Sequence, residues 1–275
     1  MPFPVAATAL SRRQLLGLVG VGTVGAAATL LTGCSVGPTS DQTSGNASCV
    51  SRASLESHRT LSGLPLVYEV TQKRAAFSFD GGFFTQLGAW LTSYTEASGL
   101  AAPDQVWNYG GWINGGSSCD SWHNSGRALD LGRLRLEGGD FVSCRYDQWR
   151  SESGAALEQR LRQYWALAAS LHLHFAYVLT YLYNDQHANH IHVDNGRSGD
   201  QLSTLSTRSR VQVQAIQAIC TYLWDQPTEL TGRWDSATRD VSRRVLDSLQ
   251  IADDLDESTG SWHGFLSASM RRSQA

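Results

Sequence analysis

Lysine is almost missing from this chain: Lys73 stands alone among 22 basic residues. That skew reads as codon bias and says nothing about function. Basic charge is in the minority overall, with 25 acidic residues and a formal net charge of −3. A chain without surplus positive charge lacks the basic face that nucleic acid requires, which excludes nucleic acid as a partner. The five cysteines show no CxxC spacing, so a CxxC zinc knuckle is excluded as well. Long apolar runs are confined to one place near the N-terminus. What remains is not short of core: 41% hydrophobic residues and nine Trp argue for a packed interior rather than disorder. At 275 residues the chain has room for one generous domain or two small ones.

The first 34 residues carry Arg12 and Arg13 and no acid. Ser11-Arg12-Arg13-Gln14-Leu15-Leu16 is a twin-arginine pattern, the form of export signal read by the Tat route. An uncharged run from Leu15 to Leu31 follows, roughly 17 residues and at the lower edge of a membrane span. It ends at Leu31-Thr32-Gly33-Cys34, which resembles the lipobox of bacterial lipoproteins. That resemblance implies a signal peptide at 1–34, lipidation of Cys34, and a protein held on the outer face of the cytoplasmic membrane. The alternative is an uncleaved anchor helix, which leaves the remainder on the same side.

Export directs the reading of the other cysteines. Cys49, Cys119, Cys144 and Cys220 are an even number in an oxidising compartment, so two disulfides are expected, with three possible connectivities. Cys119 and Cys144 flank the motif described below, and joining them closes a loop of about 25 residues, worth roughly 3–4 kcal/mol. Cys49 with Cys220 then ties the two ends of the fold together. The competing reading for any of them is a buried free thiol.

Residues 35–59 are rich in Ser, Thr, Gly and Asn and are expected to be a flexible tether. A main domain is expected at 60–200. Its strands are expected at Pro65–Val70, Val106–Tyr109, Arg133–Glu137 and Phe175–Tyr183, and its helices at Phe83–Ala97 and Ala155–Leu173. Gly196 to Gly199 reads as the domain exit. A helical hairpin is expected at 207–252, its first helix Val211–Trp224 and its second capped by Asp235. Gly232-x-Trp234-Asp235-x-x-Thr238 is similar to a peptidoglycan-binding helical repeat, although a hairpin packed on the main domain is the preferred reading. Residues 253–275 are expected to form a loose tail. The fold class is α+β: a small antiparallel sheet with covering helices and a C-terminal helical segment.

Two stretches carry the chemistry. In the first, Ser121 to Leu131, an extended run places Ala128 and Asp130 on one face and Leu129 and Leu131 on the other. In the second, His187 to Asp194, the same alternation gathers His190, His192 and Asp194 opposite Ile191 and Val193. Two imidazoles and a carboxylate make a three-ligand catalytic zinc site with a position open to water. His172-Leu173-His174 repeats the His-x-His spacing but lies at the end of a helical pattern, where such side chains diverge. It is set aside, and His58 and His263 are read as structural.

Ser121-x-His123-x-x-Gly126-x-Ala128-x-Asp130, followed by His190-x-His192, resembles the hedgehog/D-Ala-D-Ala-peptidase superfamily of zinc peptidases. Within it, Gly126 to Asp130 together with His187-x-x-His190-x-His192-x-Asp194 is most similar to the extensin-like C-terminal domain family. The His spacing is also similar to the penicillin-insensitive murein endopeptidases. The resemblance spans about residues 60–196 and implies a D,D-carboxypeptidase or endopeptidase acting on peptidoglycan stem or cross-link peptides. By position it makes His123, Asp130 and His192 the Zn2+ ligands, and gives His190, assisted by His187, the proton transfers. Ser121 and Arg127 become substrate-binding or orienting residues, the alternative for Arg127 being a surface or ion-pair residue. Asp194 reads, from the residues themselves, as a carboxylate orienting a His rather than a direct ligand. One departure stands out. Many such peptidases place a general-base Glu shortly before the last His, and here no Glu lies between Glu158 and Glu229. Base work then falls to His187, His190 or Asp185. The alternatives are a metal-stabilised cell-wall or glycan-binding module without turnover, and a structural lipoprotein in which the His cluster holds a loop.

Overall fold

The computed structural model describes residues 49–115, 119–196 and 201–274. All the described residues fall within the unit Pro38–Ala275. The signal-peptide reading, Cys34 and most of the expected tether lie outside them.

Order begins earlier than the Ser- and Thr-rich composition suggests. A 3-10 turn at Arg52–Ser54, capped by Ser51, is followed by strand β1 at Glu56–His58, within the expected tether. Then come β2 (Thr60–Leu61), β3 (Leu64–Tyr68), β4 (Lys73–Arg74) and β5 (Phe77–Phe79). Helix α1 (Gly81–Ala97) starts at Asp80, whose carboxylate accepts from Phe83 N at 3.0 Å. Such a cap contributes about 1 kcal/mol. Next are β6 (Pro103–Gly110), β7 (Ala128–Leu136), β8 (Phe141–Ser143), α2 (Tyr146–Trp149), α3 (Gly154–His174), β9 (Tyr177–Leu179) and β10 (Ile191–Asp194). Three helices end the chain: α4 (Arg210–Leu223), α5 (Ser236–Ser248) and α6 (Thr259–Ser269).

The fold is α+β, as expected. The main sheet runs β2-β3-β6-β7-β10-β9, with β4 beside β3 and β8 beside β7, while β1 and β5 pair separately. The sheet is mixed rather than purely antiparallel, because β3 and β6 run parallel. The excursion through β4, β5 and α1 supplies the long crossover that a parallel pair needs. Gly138 and Gly139, both at φ 95°, turn β7 back into β8. The strand expected over Phe175–Tyr183 is only Tyr177–Leu179; the aromatic residues after it belong to a turn.

Helix α3 packs against the sheet and also against α4 and α6. From Tyr164 to His174 every residue is buried, so the apolar stripe of its first half gives way to burial all round. That burial exists because the C-terminal segment is not a loose tail. Helix α6 sets Trp262, Phe265 and Leu266 at 0% exposure, each of them worth roughly 1.5–3 kcal/mol in transfer free energy. The Ser, Gly and His residues interleaved with these three conceal the helix in the sequence. Helices α4 and α5 pack together as a hairpin, with Asp235 capping α5. Gln217 holds its halves together, accepting from Gly232 N and donating to Thr238 Oγ1, each at 2.8 Å. The Gly-x-Trp-Asp-x-x-Thr residues Gly232 and Thr238 are thus joints within the hairpin.

The disulfide pattern also differs. Cys49 bonds to Cys119, whereas Cys144 and Cys220 are buried free thiols. Cys144 follows β8 with its thiol in the core, and Cys220 sits on the buried face of α4. Neither the Cys119–Cys144 nor the Cys49–Cys220 bridge forms. Among the described residues no helix is long and apolar enough to cross a membrane.

Candidate metal centre

Three elements deliver the site. His123 sits in a short 3-10 turn, Trp122–Ser125, whose geometry is fixed by its neighbours. Ser121 Oγ accepts from His123 N at 3.3 Å, and Asn124 Oδ1 accepts from Ser121 N at 3.1 Å. Gly126 ends the turn at φ 70°, where a Cβ would stand 2.8 Å from Leu55 and 3.0 Å from Asp80 N. Only glycine meets both demands. Asp130 lies on β7 and His192 on β10, where they are direct cross-strand partners. Leu129, Leu131, Ile191 and Val193 take the opposite, core-facing positions.

The three side chains converge on one point. His123 Nε2 is 3.1 Å from Asp130 Oδ1 and 3.1 Å from His192 Nδ1, and His192 Nδ1 is 2.9 Å from Asp130 Oδ1. The outer nitrogens are already committed. His123 Nδ1 donates to the Gly111 carbonyl, and His192 Nε2 donates to Asp194 Oδ2 at 3.0 Å. Asp194 is itself held by Gly196 N at 2.8 Å. These bonds fix both tautomers, so that two imidazole lone pairs and a carboxylate oxygen face one another. Such an arrangement can hold a cation at its centre.

The titration of the site reflects the same convergence of groups. Burial works to raise the Asp130 carboxyl, but hydrogen bonds from His123 and His192 outweigh it and hold the group well below the usual carboxylate range. Burial works to lower His192, yet the hydrogen bonds to Asp130 and Asp194 push it up to about 10. Without a metal, a proton on His192 supplies the positive charge. Tetrahedral coordination with bonds of about 2.0–2.1 Å sets ligand atoms about 3.3 Å apart, close to the triangle seen. The donors fit a divalent first-row ion, and His123, Asp130 and His192 form such a group among the described residues.

His190 and His187 border this triad. His190 Nε2 is 3.4 Å from Asp130 Oδ1, and the two imidazole rings lie 5.1 Å apart. Each has its Nδ1 committed: His187 to Asn184 Oδ1 at 2.7 Å, His190 to Asn189 Oδ1 at 2.6 Å. Their Nε2 atoms therefore carry the lone pairs. Burial and the neighbouring His190 lower His187 to about 3, and burial lowers His190 against the pull of Asp130. Both are neutral bases at neutral pH.

Arg127 is engaged structurally. Its Nε donates to the Gly196 carbonyl at 2.7 Å and its Nη1 pairs with Asp80 Oδ1 at 3.2 Å, which joins the start of α1 to the exit of β10. Ser121 acts through the backbone of the His123 turn. Asp185 is exposed on the turn before His187. His172 and His174 lie outside the triad, buried in α3, while His58 stacks on Phe84 and His263 bonds to the Ser203 carbonyl.

Several contributors were not foreseen. The Gly111 carbonyl gave only a turn signal in the sequence, and Asn184 and Asn189 only a polar linker. Tyr109, in a strand pattern, stands with its ring 5.9 Å from that of His190. No curated protein and no solved structure matches the chain. Over residues 112–204, a span that holds the metal triad and both motifs, the chain is similar to the family described as extensin-like protein C-terminus.

Proposed function

We propose that this chain is a zinc-dependent peptidase of the bacterial cell envelope, cleaving stem or cross-link peptides of peptidoglycan. One observation carries the reading: three metal donors converge while two neutral imidazoles, tautomers fixed, border the same point. A purely structural metal site closes its coordination with protein ligands and has no use for free bases beside it. When bound, zinc lowers the pKa of a water to about 7 and polarises a carbonyl oxygen.

The remaining work belongs to the chain. His190 Nε2 takes a proton from the attacking water as the water oxygen bonds to the peptide carbonyl carbon. When the C–N bond breaks, the resulting imidazolium returns that proton to the departing amine. Asn189 keeps the correct nitrogen free, and His187, its ring 5.1 Å from that of His190, assists it. Asp194 holds His192 in its ligating orientation, the usual role of a carboxylate behind a metal-bound imidazole.

The twin-arginine pattern and Cys34 support export and lipid anchoring, which would place the site beside its polymer. Fractionation checks this directly: Cys34→Ala should move the protein out of the membrane fraction. For the activity, purified sacculi are incubated with zinc-loaded or chelated protein and soluble products are identified by mass spectrometry. Peptide-containing fragments should appear only with the loaded protein and should vanish in His190→Ala. The absence of a Glu between Glu158 and Glu229 favours a second reading, a cell-wall-binding module without turnover. Retention on sacculi with no soluble product, unchanged in His190→Ala, would establish that reading instead.

A further inference from the structure

Strand β6 meets β7 in an irregular register beside the metal triad. Asn108 pairs with Leu131 and Gly110 with Asp130, so two steps along β6 match one step along β7. Tyr109 is the extra residue of this β-bulge. Bulges redirect a side chain out of the regular alternation and recur beside active sites. Here the redirected residue is next to the partner of a metal ligand. On the other side of Asp130 stands His192, so Tyr109 and the His190–His192 segment flank the same carboxylate from opposite strands.

The surroundings of Tyr109 hold its ring but leave its hydroxyl unused. The ring lies 5.9 Å from the His190 ring, and the Arg145 guanidinium carbon lies 5.9 Å from its centre. Arg145 is not available to a substrate. Its Nη1 donates to Glu69 at 3.0 Å, and its Nε and Nη2 donate to Asp147 at 2.9 and 2.7 Å. Glu69 also receives Arg133, and its carboxylate fills the space that a side chain at residue 132 would need, 2.9 Å from the ideal Cβ of Gly132. This four-charge cluster, with Glu69 buried and Asp147 at the surface, is internally neutralised and lies behind the phenol ring. The Tyr109 side chain is half-buried, and its hydroxyl has no hydrogen-bond partner among the described residues. An ordinary phenol keeps its proton up to about pH 10, and burial pushes this one higher. It is therefore a donor throughout the neutral range.

We infer that the Tyr109 hydroxyl is the hydrogen-bond donor to the oxyanion of the reaction proposed above, on which this assignment rests. As the water oxygen bonds to the scissile carbon, the carbonyl π pair moves onto the carbonyl oxygen. That oxygen accepts the O–H of Tyr109. When the C–N bond breaks, the pair returns to restore the carbonyl, and Tyr109 keeps its proton throughout. His190 handles the proton and Tyr109 the negative charge, a division that places base and electrophile on opposite sides of Asp130. Arg145 is a positioning residue that acts through the ring.

The test uses Tyr109→Phe, which preserves the ring and its packing, in the full zinc-loaded protein. The probe is a phosphinic pseudo-dipeptide of alanine, whose tetrahedral oxygens stand in for the attacking water and the oxyanion. Zinc affinity, read by competition with a chromophoric chelator, should stay within about twofold of wild type. Phosphinate affinity should fall by about tenfold or more, and release of peptides from sacculi by on the order of 100-fold in kcat, as for loss of one oxyanion donor. Equal phosphinate affinity in wild type and Tyr109→Phe would overturn the assignment of Tyr109 alone. Failure of the wild-type zinc protein to bind the phosphinate at all would overturn the hydrolase reading, and this assignment with it.

Discussion

His192 Nδ1 stands 2.9 Å from Asp130 Oδ1 because the two residues are direct partners across β10 and β7. Paired positions in an antiparallel ladder hold their Cβ atoms about 4.5–5.5 Å apart. Backbone hydrogen bonding therefore sets the spacing of two ligands, and only His123 arrives from a loop. The protein should bind about one divalent ion per chain, and His123→Ala with His192→Ala should abolish that binding. Asp194→Asn removes no ligand atom, yet it should weaken affinity by about 10- to 100-fold through loss of the orienting bond. Metal content by mass spectrometry and chelator competition measure both. Stoichiometric metal in the double variant would reject the site.

Metal and proton compete for the same nitrogen. In the metal-free protein His192 is protonated up to about pH 10, while the Asp130 carboxyl ionises well below the usual range. Across pH 6–8 the ion must therefore displace a proton from His192 and none from Asp130. Binding should release about one proton per ion, and affinity should fall about tenfold for each unit of acidification. Calorimetry in buffers of different ionisation enthalpy reads the proton count. A count near zero would mean that His192 is neutral before the metal arrives.

The paired motifs made the ligand set legible because strand alternation and ligand chemistry act on the same residues. At Asp130 and His192, the in-facing apolar neighbours announce the strand and leave the polar side chains on the other face. Of the outer groups, Asp194 was legible from the same alternation, but others were not: a carbonyl such as that of Gly111 has no side-chain signature, and the bulge at Tyr109 depends on register with a distant strand. The same holds for the cysteines. Their position on either side of the first motif suggested Cys119 with Cys144, but β8 directs Cys144 into the core, where burial pushes its thiol above the usual range. Helix α6 was hidden because its three buried anchors are spaced among small polar residues, and only the face of α3 awaiting them makes the segment fold.

His172 is fully buried in α3, and neither ring nitrogen has a hydrogen-bond partner. Burial lowers it to about 3. Because the folded value lies below the ordinary histidine value of about 6.5, the unfolded chain binds the proton more readily in this window. Stability from His172 is thus complete above pH 6.5 and is lost as pH falls toward 3. Between pH 7 and pH 5 it should contribute about 2 kcal/mol of the decline. His172→Leu should shrink the difference between urea midpoints at the two pH values by a corresponding amount. An unchanged difference would show that acid acts elsewhere.

The disulfide between Cys49 and Cys119 ties the first ordered residues to the loop that leads into His123. Backbone contacts reinforce the tie: Val50 N donates to the Asn124 carbonyl at 3.0 Å, and Trp112 Nε1 donates to the Val50 carbonyl at 3.1 Å. The same loop also holds His123: Ile113 N donates to the His123 carbonyl at 3.2 Å. Closing a loop of this length constrains the unfolded chain by up to about 4 kcal/mol, and measured losses usually run 2–4. Cys49→Ser should cost stability in that range. It should also weaken metal binding, because His123 is the ligand whose position depends on the loop rather than on the sheet. Peptide mapping after alkylation tests the pairing itself. Cys144 and Cys220 should take label only after denaturation, and Cys49 and Cys119 only after reduction. A cross-linked peptide containing Cys119 and Cys144 would refute the arrangement and return Cys49 to the tether.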